Sequence, residues 1–180
     1  MSTIHTIGHS TRPVEELIEL LTAQGVTRVV DIRTVPKSRR NPQYWGDALE
    51  ASLAQVGLGY SYLVELCGLR KRRPDSPNGG WRNASFQGYA DHMLTDEFEA
   101  GLEQLLALAR EDSCAIMCAE AVPWRCHRRL VADALVVRGH TALEIISAAA
   151  PKEHELTPFA VVDGTTITYP PTDDEGEQDG

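Results

Sequence analysis

Short apolar runs rich in β-branched residues alternate along this chain with stretches of helical periodicity, and that alternation restricts the possible folds more than any other feature. "TIHTIG" reads as a first strand. "RPVEELIELLTAQG" follows it, with Val14, Leu17, Ile18 and Leu21 at helical spacing and Gly25 as the stop. "TRVVDIR" is a second strand ending in charge, "YWGDALEASLAQVG" a second helix and "GYSYL" a third strand. "TDEFEAGLEQLLALARE" is a helix with Thr95 as N-cap and acidic side chains in its first turn, where they meet the positive end of the backbone dipole. "SCAIMCAE" is again a strand, "PWRCHRRLVADALVVRG" a helix stopped by Gly139, "ALEIIS" a strand, and "FAVVDGTTITY" a hairpin turning at Asp163 and Gly164. Strands separated by helices pair in parallel, so the expected fold class is α/β: a mostly parallel sheet with helices on both faces and a C-terminal β-hairpin.

Between these elements, "CGLRKRRPDSPNGGWRNASF" holds too many Gly, Pro and Arg residues for regular structure and reads as a long loop. The chain has 180 residues, 42 % of them hydrophobic, which is enough for one core and too few for two. The expectation is a single α/β domain over 1–169 and an acidic, disordered tail over 170–180. No basic and apolar leader opens the chain, and no run approaches the ~20 apolar residues of a membrane span, which predicts a cytoplasmic protein without membrane partners. In that setting the four cysteines, Cys67, Cys114, Cys118 and Cys126, read as reduced thiols rather than a disulfide framework. Nothing in the sequence fixes an oligomeric state.

The net charge of −9 argues against a nucleic-acid partner until its distribution is considered. Asp173, Asp174, Glu175, Glu177 and Asp179 all lie in the tail. Basic residues gather in three windows, Arg33 to Arg40, Arg70 to Arg82 and Arg125 to Arg129. Local field decides which anion a cleft can hold, so phosphorylated small molecules and nucleic acid both stay open as partners.

In sheets of this type ligands bind beyond the carboxyl ends of the strands, where the amino ends of the following helices face them. Applied to this sequence, the rule brings Gly8, His9 and Ser10, then Asp31 and Arg33, then Cys118 and Glu120 to one rim. Cys126, His127 and Arg128 join them from the first turn of the helix after Pro123.

"CAEAVPWRCHRR" carries the densest chemistry, and three readings compete for it. A zinc site on Cys118, Cys126 and His127 has the wrong spacing, because adjacent helical residues point about 100° apart. No metal and no cofactor is expected. A thiol catalyst would use Cys118, or Cys126 with a thiolate stabilised by arginines. An anion pocket would use Arg33 and Arg128 as bidentate partners of a phosphate, with His9, Ser10, Cys126 and His127 around it and Asp31 or Glu120 as general base. Against all three stands the possibility that the carboxylates and arginines are buried ion pairs that only fix the rim. "RKRRPDSPNGGW" adds four adjacent basic residues and Trp81, a combination suited to single strands by charge and stacking.

"TIGHS", "VDIRTVPKSRRNPQY", "ELCGLRK" and "CAEAVPWRCHRRLVAD" together resemble the domain-of-unknown-function 488 family. The resemblance runs from about Ile4 to about Ile146. It maps the family pattern onto His9, Ser10, Asp31, Arg33, Pro36, Ser38, Cys118, Glu120, Cys126, His127 and Arg128, and implies a compact α/β domain in which these motifs converge. Cys67 departs from the small residue often found there.

The sequence therefore leads to an enzyme acting on a phosphorylated or nucleic-acid substrate at an arginine-rich strand-end site. Asp31, Glu120 and Cys118 are its candidate catalytic residues, and His9, Ser10, Arg33, Cys126, His127 and Arg128 its anion-binding residues. A non-catalytic anion- or nucleic-acid-binding module and a thiol-based or metal-dependent enzyme are the alternatives.

Overall fold

The computed structural model describes residues 1–36 and 39–172. Its strands are β1 (Thr3–Gly8), β2 (Arg28–Asp31), β3 (Gly59–Tyr62), β4 (Cys114–Cys118), β5 (Thr141–Ile145), β6 (Lys152–Glu153), β7 (Val161–Asp163) and β8 (Thr166–Thr168). The α-helices are α1 (Val14–Ala23), α2 (Gly46–Gln55), α3 (Ala84–His92), α4 (Asp96–Glu111) and α5 (Arg128–Val137). Among the described residues no helix is long and apolar enough to cross a membrane.

Six strands form one sheet in the order β3-β2-β4-β1-β5-β6, parallel except for β6, and β7 pairs with β8 as an antiparallel hairpin. Alternation along each strand sorts the apolar residues between two faces. Ile7, Val29, Ala115 and Met117 pack with Leu17 of α1 and Leu49 of α2. Ile4, Val30 and Ile116 pack on the other face with Phe98 of α4 and Val131 of α5. The chain thus folds as the alternation of its elements implies.

Three local readings need correction. Ala84–His92 is a helix, although part of it reads as loop and none of it shows an apolar stripe. Every residue from Phe86 to His92 is buried, and a Cβ on Gly88 would come within 2.0 Å of the Arg70 carbonyl oxygen, so the helix is packed all round. Its start is legible only through Asn83, whose side chain accepts from the N–H groups of Ser85 and Phe86. Secondly, α5 begins at Arg128 rather than near Pro123. A 3₁₀ turn over Pro123–Arg125 comes first, and Cys126 is extended, so Cys126 and His127 precede the helix instead of forming its first turn. Thirdly, Trp81 is 3 % exposed and meets Phe86, Phe159 and Tyr169 edge-on or tilted, so its ring is unavailable for stacking on a base.

The C-terminal segment is held to the domain by a buried polar cluster. Asp133, on α5, accepts from His154 Nε2 at 2.7 Å, from the Tyr169 hydroxyl at 2.7 Å and from the Thr157 backbone N–H at 3.1 Å. Glu144 on β5 takes the other His154 nitrogen at 2.9 Å. Residues 173–180, most of the expected acidic tail, lie outside the described residues, as do residues 37 and 38.

Candidate functional site

The register of the sheet fixes where chemistry can collect. Gly8 pairs with Cys118 and Asp31 with Met117, so β1, β2 and β4 end at one level. The chain leaving β1 or β2 enters helices on one face, α1 or α2, whereas the chain leaving β4 enters α5 on the other. Because β4 lies between β2 and β1, its end is the point where connections diverge, and divergence opens a crevice. A cavity of about 360 Å³ occupies that place, lined by His9, Arg33, Cys118, Glu120, Cys126 and His127 among the residues foreseen from sequence.

Close backbone approach shapes its floor. The segment after β4 folds back over Gly8, where a Cβ would fall 1.5 Å from the Glu120 carbonyl oxygen, so only glycine fits. Arg128 fixes the same segment from behind. Its guanidinium donates to the carbonyls of Glu120 at 2.5 Å and Ala121 at 3.1 Å, and reaches the sulfur of Cys118 at 2.6 Å. Arg128 is 1 % exposed and does not line the cavity. Burial lowers its pKa to about 10, so it stays charged at neutral pH.

Asp31 is also behind the wall. Fully buried, it accepts from Arg33 Nε at 2.9 Å, Arg33 Nη2 at 2.7 Å, the Arg33 backbone N–H at 3.0 Å and the Tyr60 hydroxyl at 2.6 Å. With its acceptor positions taken, Asp31 anchors Arg33 rather than facing a substrate, which corrects its expected role as general base. Arg33 keeps Nη1 for other partners, and that nitrogen lies 3.3 Å from His9 Nε2.

Both histidines are neutral. His9 donates from Nδ1 to the Ser10 carbonyl at 2.7 Å, which leaves Nε2 as an acceptor, and its ring stacks on Tyr44 at 4.2 Å. Burial, reinforced by the Arg33 charge, pulls its pKa down to about 4. His127 donates from Nε2 to the Ile32 carbonyl at 3.1 Å, and burial with the charges of Arg128 and Arg70 likewise brings its pKa to about 4. Ser10, with a left-handed φ of 51°, contributes its carbonyl to His9 and is not on the cavity wall.

The four cysteines are not all separate: the sulfurs of Cys118 and Cys126 are in contact, while Cys67 and Cys114 are free and buried. Eight residues of sequence separation hide this pairing, because the segment between them doubles back under the hold of Arg128.

Sequence reasoning missed the apolar wall and one cation. Val35, Leu69 and Phe86 line the cavity, as does Arg125, which is exposed. Leu69 is 73 % exposed and takes a φ of 55°, a conformation that costs an L-residue roughly 1–2 kcal/mol. Leu69 thus presents a large apolar side chain at the cavity wall. Gly-Leu in "CGLRK" is its only trace in the sequence. Among the described residues no group of three or more His, Cys, Asp or Glu side chains is arranged to hold a metal ion.

A parallel α/β sheet with a cavity of mixed polar and apolar lining at its diverging strand ends defines the general class of this protein. Residues 13–135 match the family described as "Domain of unknown function DUF488", and the chain belongs to that family. No curated protein and no solved structure matches it. The match begins after His9 and Ser10, so the "TIGHS" end of β1 joins the site through the fold rather than through the matched segment.

Proposed function

We propose that the cavity takes a phosphorylated small molecule of nucleotide size, or the phosphate-bearing end of a nucleic acid, and that the protein is a cytoplasmic enzyme acting on it. One observation carries this reading: a cavity of about 360 Å³ at the divergence of the strand ends is lined both by Arg33 and Arg125 and by apolar Val35, Leu69 and Phe86. A phosphate pairs with the guanidinium groups, and a base or similar planar group lies on the apolar wall. Arg33 is pre-oriented, since Asp31 holds two of its nitrogens and fixes the plane of the third.

The exposed carboxylate of Glu120 is the group positioned to accept a proton from a substrate, while His9 Nε2 accepts from Arg33 Nη1 at 3.3 Å and helps orient that guanidinium. Cys126 and His127 contribute to the wall, and Arg128 keeps Glu120 in place through the backbone. Exposed Lys71, Arg72 and Arg73 extend the basic surface of the loop that carries Leu69, which favours a substrate with more than one phosphate.

Screening nucleotides, sugar phosphates and short oligonucleotides by thermal shift tests the reading, because a ligand at 100 times its Kd stabilises by about 2.7 kcal/mol. Arg33→Lys, which keeps charge and loses the planar fork, should weaken binding by about 1–3 kcal/mol. Glu120→Gln separates enzyme from binding module: an enzyme loses turnover and keeps affinity, whereas a module shows no turnover in either form. A screen in which none of the three ligand classes binds refutes the proposal.

A further inference from the structure

Two sulfur atoms meet at the wall of the strand-end cavity, and each has its own hydrogen-bond donor. Cys118 ends β4, Cys126 stands two residues before α5, and their sulfurs are in contact. The Arg128 guanidinium lies 2.6 Å from the Cys118 sulfur, and the Arg128 backbone N–H points to the Cys126 sulfur at 3.5 Å. Both cysteines line the cavity and are otherwise buried, 3 % and 5 % exposed, so a small molecule reaches them through the cavity.

The other two cysteines differ on every count. Cys67 donates to the Arg33 and Leu63 carbonyls, Cys114 sits in the core of β4, and neither lines the cavity. Burial raises the pKa of both, that of Cys114 to about 11, which keeps them as unreactive thiols. One chain thus holds a paired, cation-supported set of sulfurs and an isolated set that serves as an internal control.

We propose that Cys118 and Cys126 are a redox-active pair that cycles between dithiol and disulfide, with Cys118 as the attacking thiolate beside Arg128 and a small hydroperoxide as oxidant. The Cys118 thiolate attacks one oxygen of the O–O bond. That bond breaks, Cys118 becomes a sulfenic acid, and the departing alkoxide or hydroxide takes up a proton to leave as alcohol or water. The Cys126 sulfur then attacks the Cys118 sulfur. The S–S bond forms, and the displaced hydroxide leaves as water with the proton given up by the Cys126 thiol. Two electrons from the two sulfurs reduce one O–O bond. A small dithiol reverses the step by exchange, being oxidised to its own disulfide as the two protein thiols are restored. The pair brackets Glu120 and Arg125, so its closure staples the segment that carries the exposed charges of the cavity. The chemistry is independent of the phosphorylated ligand proposed above and is tested without it.

The full chain is reduced with dithiothreitol, freed of it, and exposed to hydrogen peroxide. Remaining thiols are then alkylated under denaturing conditions and located by peptide mass spectrometry. Cys118 and Cys126 should disappear together, at least about tenfold faster than Cys67 and Cys114, and return on adding dithiothreitol. In Cys126→Ser, oxidation should stop at a Cys118 sulfenic acid that a 1,3-diketone reagent traps. In that same variant, peroxide should consume Cys118 half-maximally below about pH 7 rather than near the unperturbed value of about 8.5. Arg128→Gln should move that midpoint upward and slow the oxidation about tenfold or more. Should Arg128→Gln not fold, the midpoint in Cys126→Ser decides alone. Oxidation of Cys118 no faster than that of Cys67 and Cys114, or a midpoint at or above about 8.5, overturns the proposal.

Discussion

Histidines in two regions of this molecule are driven in opposite directions. At the strand-end cavity, burial and neighbouring arginines bring His9 and His127 down to about 4, so both are neutral. Beneath the C-terminal segment, burial would also lower His154, but its hydrogen bonds to Asp133 and Glu144 outweigh that and raise it to about 9. The first pair are hydrogen-bonding pieces in a field that is already positive, and His154 is a lasting cation that neutralises two buried carboxylates. The contrast separates architecture from site. In the His154 cluster both imidazole nitrogens and the Asp133 carboxylate are engaged by protein partners, whereas Arg33, His9 and Glu120 line the strand-end cavity.

Removing the carboxylate at the centre of the His154 cluster has the largest expected effect. Asp133→Ala leaves His154, Thr157 and Tyr169 without their shared acceptor and should cost about 3–5 kcal/mol in urea denaturation. A loss below about 1 kcal/mol would mean that the cluster is not what holds the C-terminal segment.

Titration should show the opposite signs directly. His154 binds its proton more tightly folded than unfolded. Its stabilisation is therefore fully present below about pH 6.5 and lost as pH rises through about 9, a change of about 3 kcal/mol at most. His9 and His127 bind theirs less tightly when folded, so stability falls as pH drops from about 6.5 through about 4. Denaturation midpoints across pH 4–10 should decline at both ends, and His154→Gln should flatten the alkaline decline alone. An unchanged alkaline limb in that variant would remove His154 from the account.

A smaller effect sharpens the role of Asp31. Tyr60→Phe deletes the 2.6 Å hydrogen bond to a fully buried carboxylate and should cost about 1.5–3 kcal/mol by equilibrium unfolding. Ligand affinity should move much less, because Arg33 retains Asp31. Smallest of all, Arg125→Gln changes an exposed side chain and should leave stability within about 0.5 kcal/mol while weakening phosphate binding measured by calorimetry. Stability lost together with binding would make Arg125 part of the architecture.

Helix α4 was legible because Thr95, the acidic first turn and a clean apolar stripe all point the same way. Helix α3 was not, since a helix packed all round loses the stripe that would reveal it. The members of the rim were legible because strand ends in a parallel sheet share one level, a consequence of register that follows from the order of elements. His9, Arg33, Cys118, Glu120, Cys126 and His127 line one cavity, and Ser10, Asp31 and Arg128 do not.

The alternation of strands and helices, hence a parallel sheet clothed on both faces, and the edge of that sheet at which polar residues gather can be read from the order of residues alone. Local pattern suffices for this, because hydrophobic periodicity and turn residues act over a few positions. Which polar residues face the cavity and which support it from behind emerges only on folding. Asp31 and Arg128 look like site residues in a string of letters and prove to be buried anchors: Asp31 is held by Arg33 and Tyr60, and Arg128 donates to the carbonyls of Glu120 and Ala121. The meeting of Cys118 with Cys126 was decided at the same level. Which atoms a side chain satisfies depends on segments brought together from far along the chain, and that information exists only once the chain has folded.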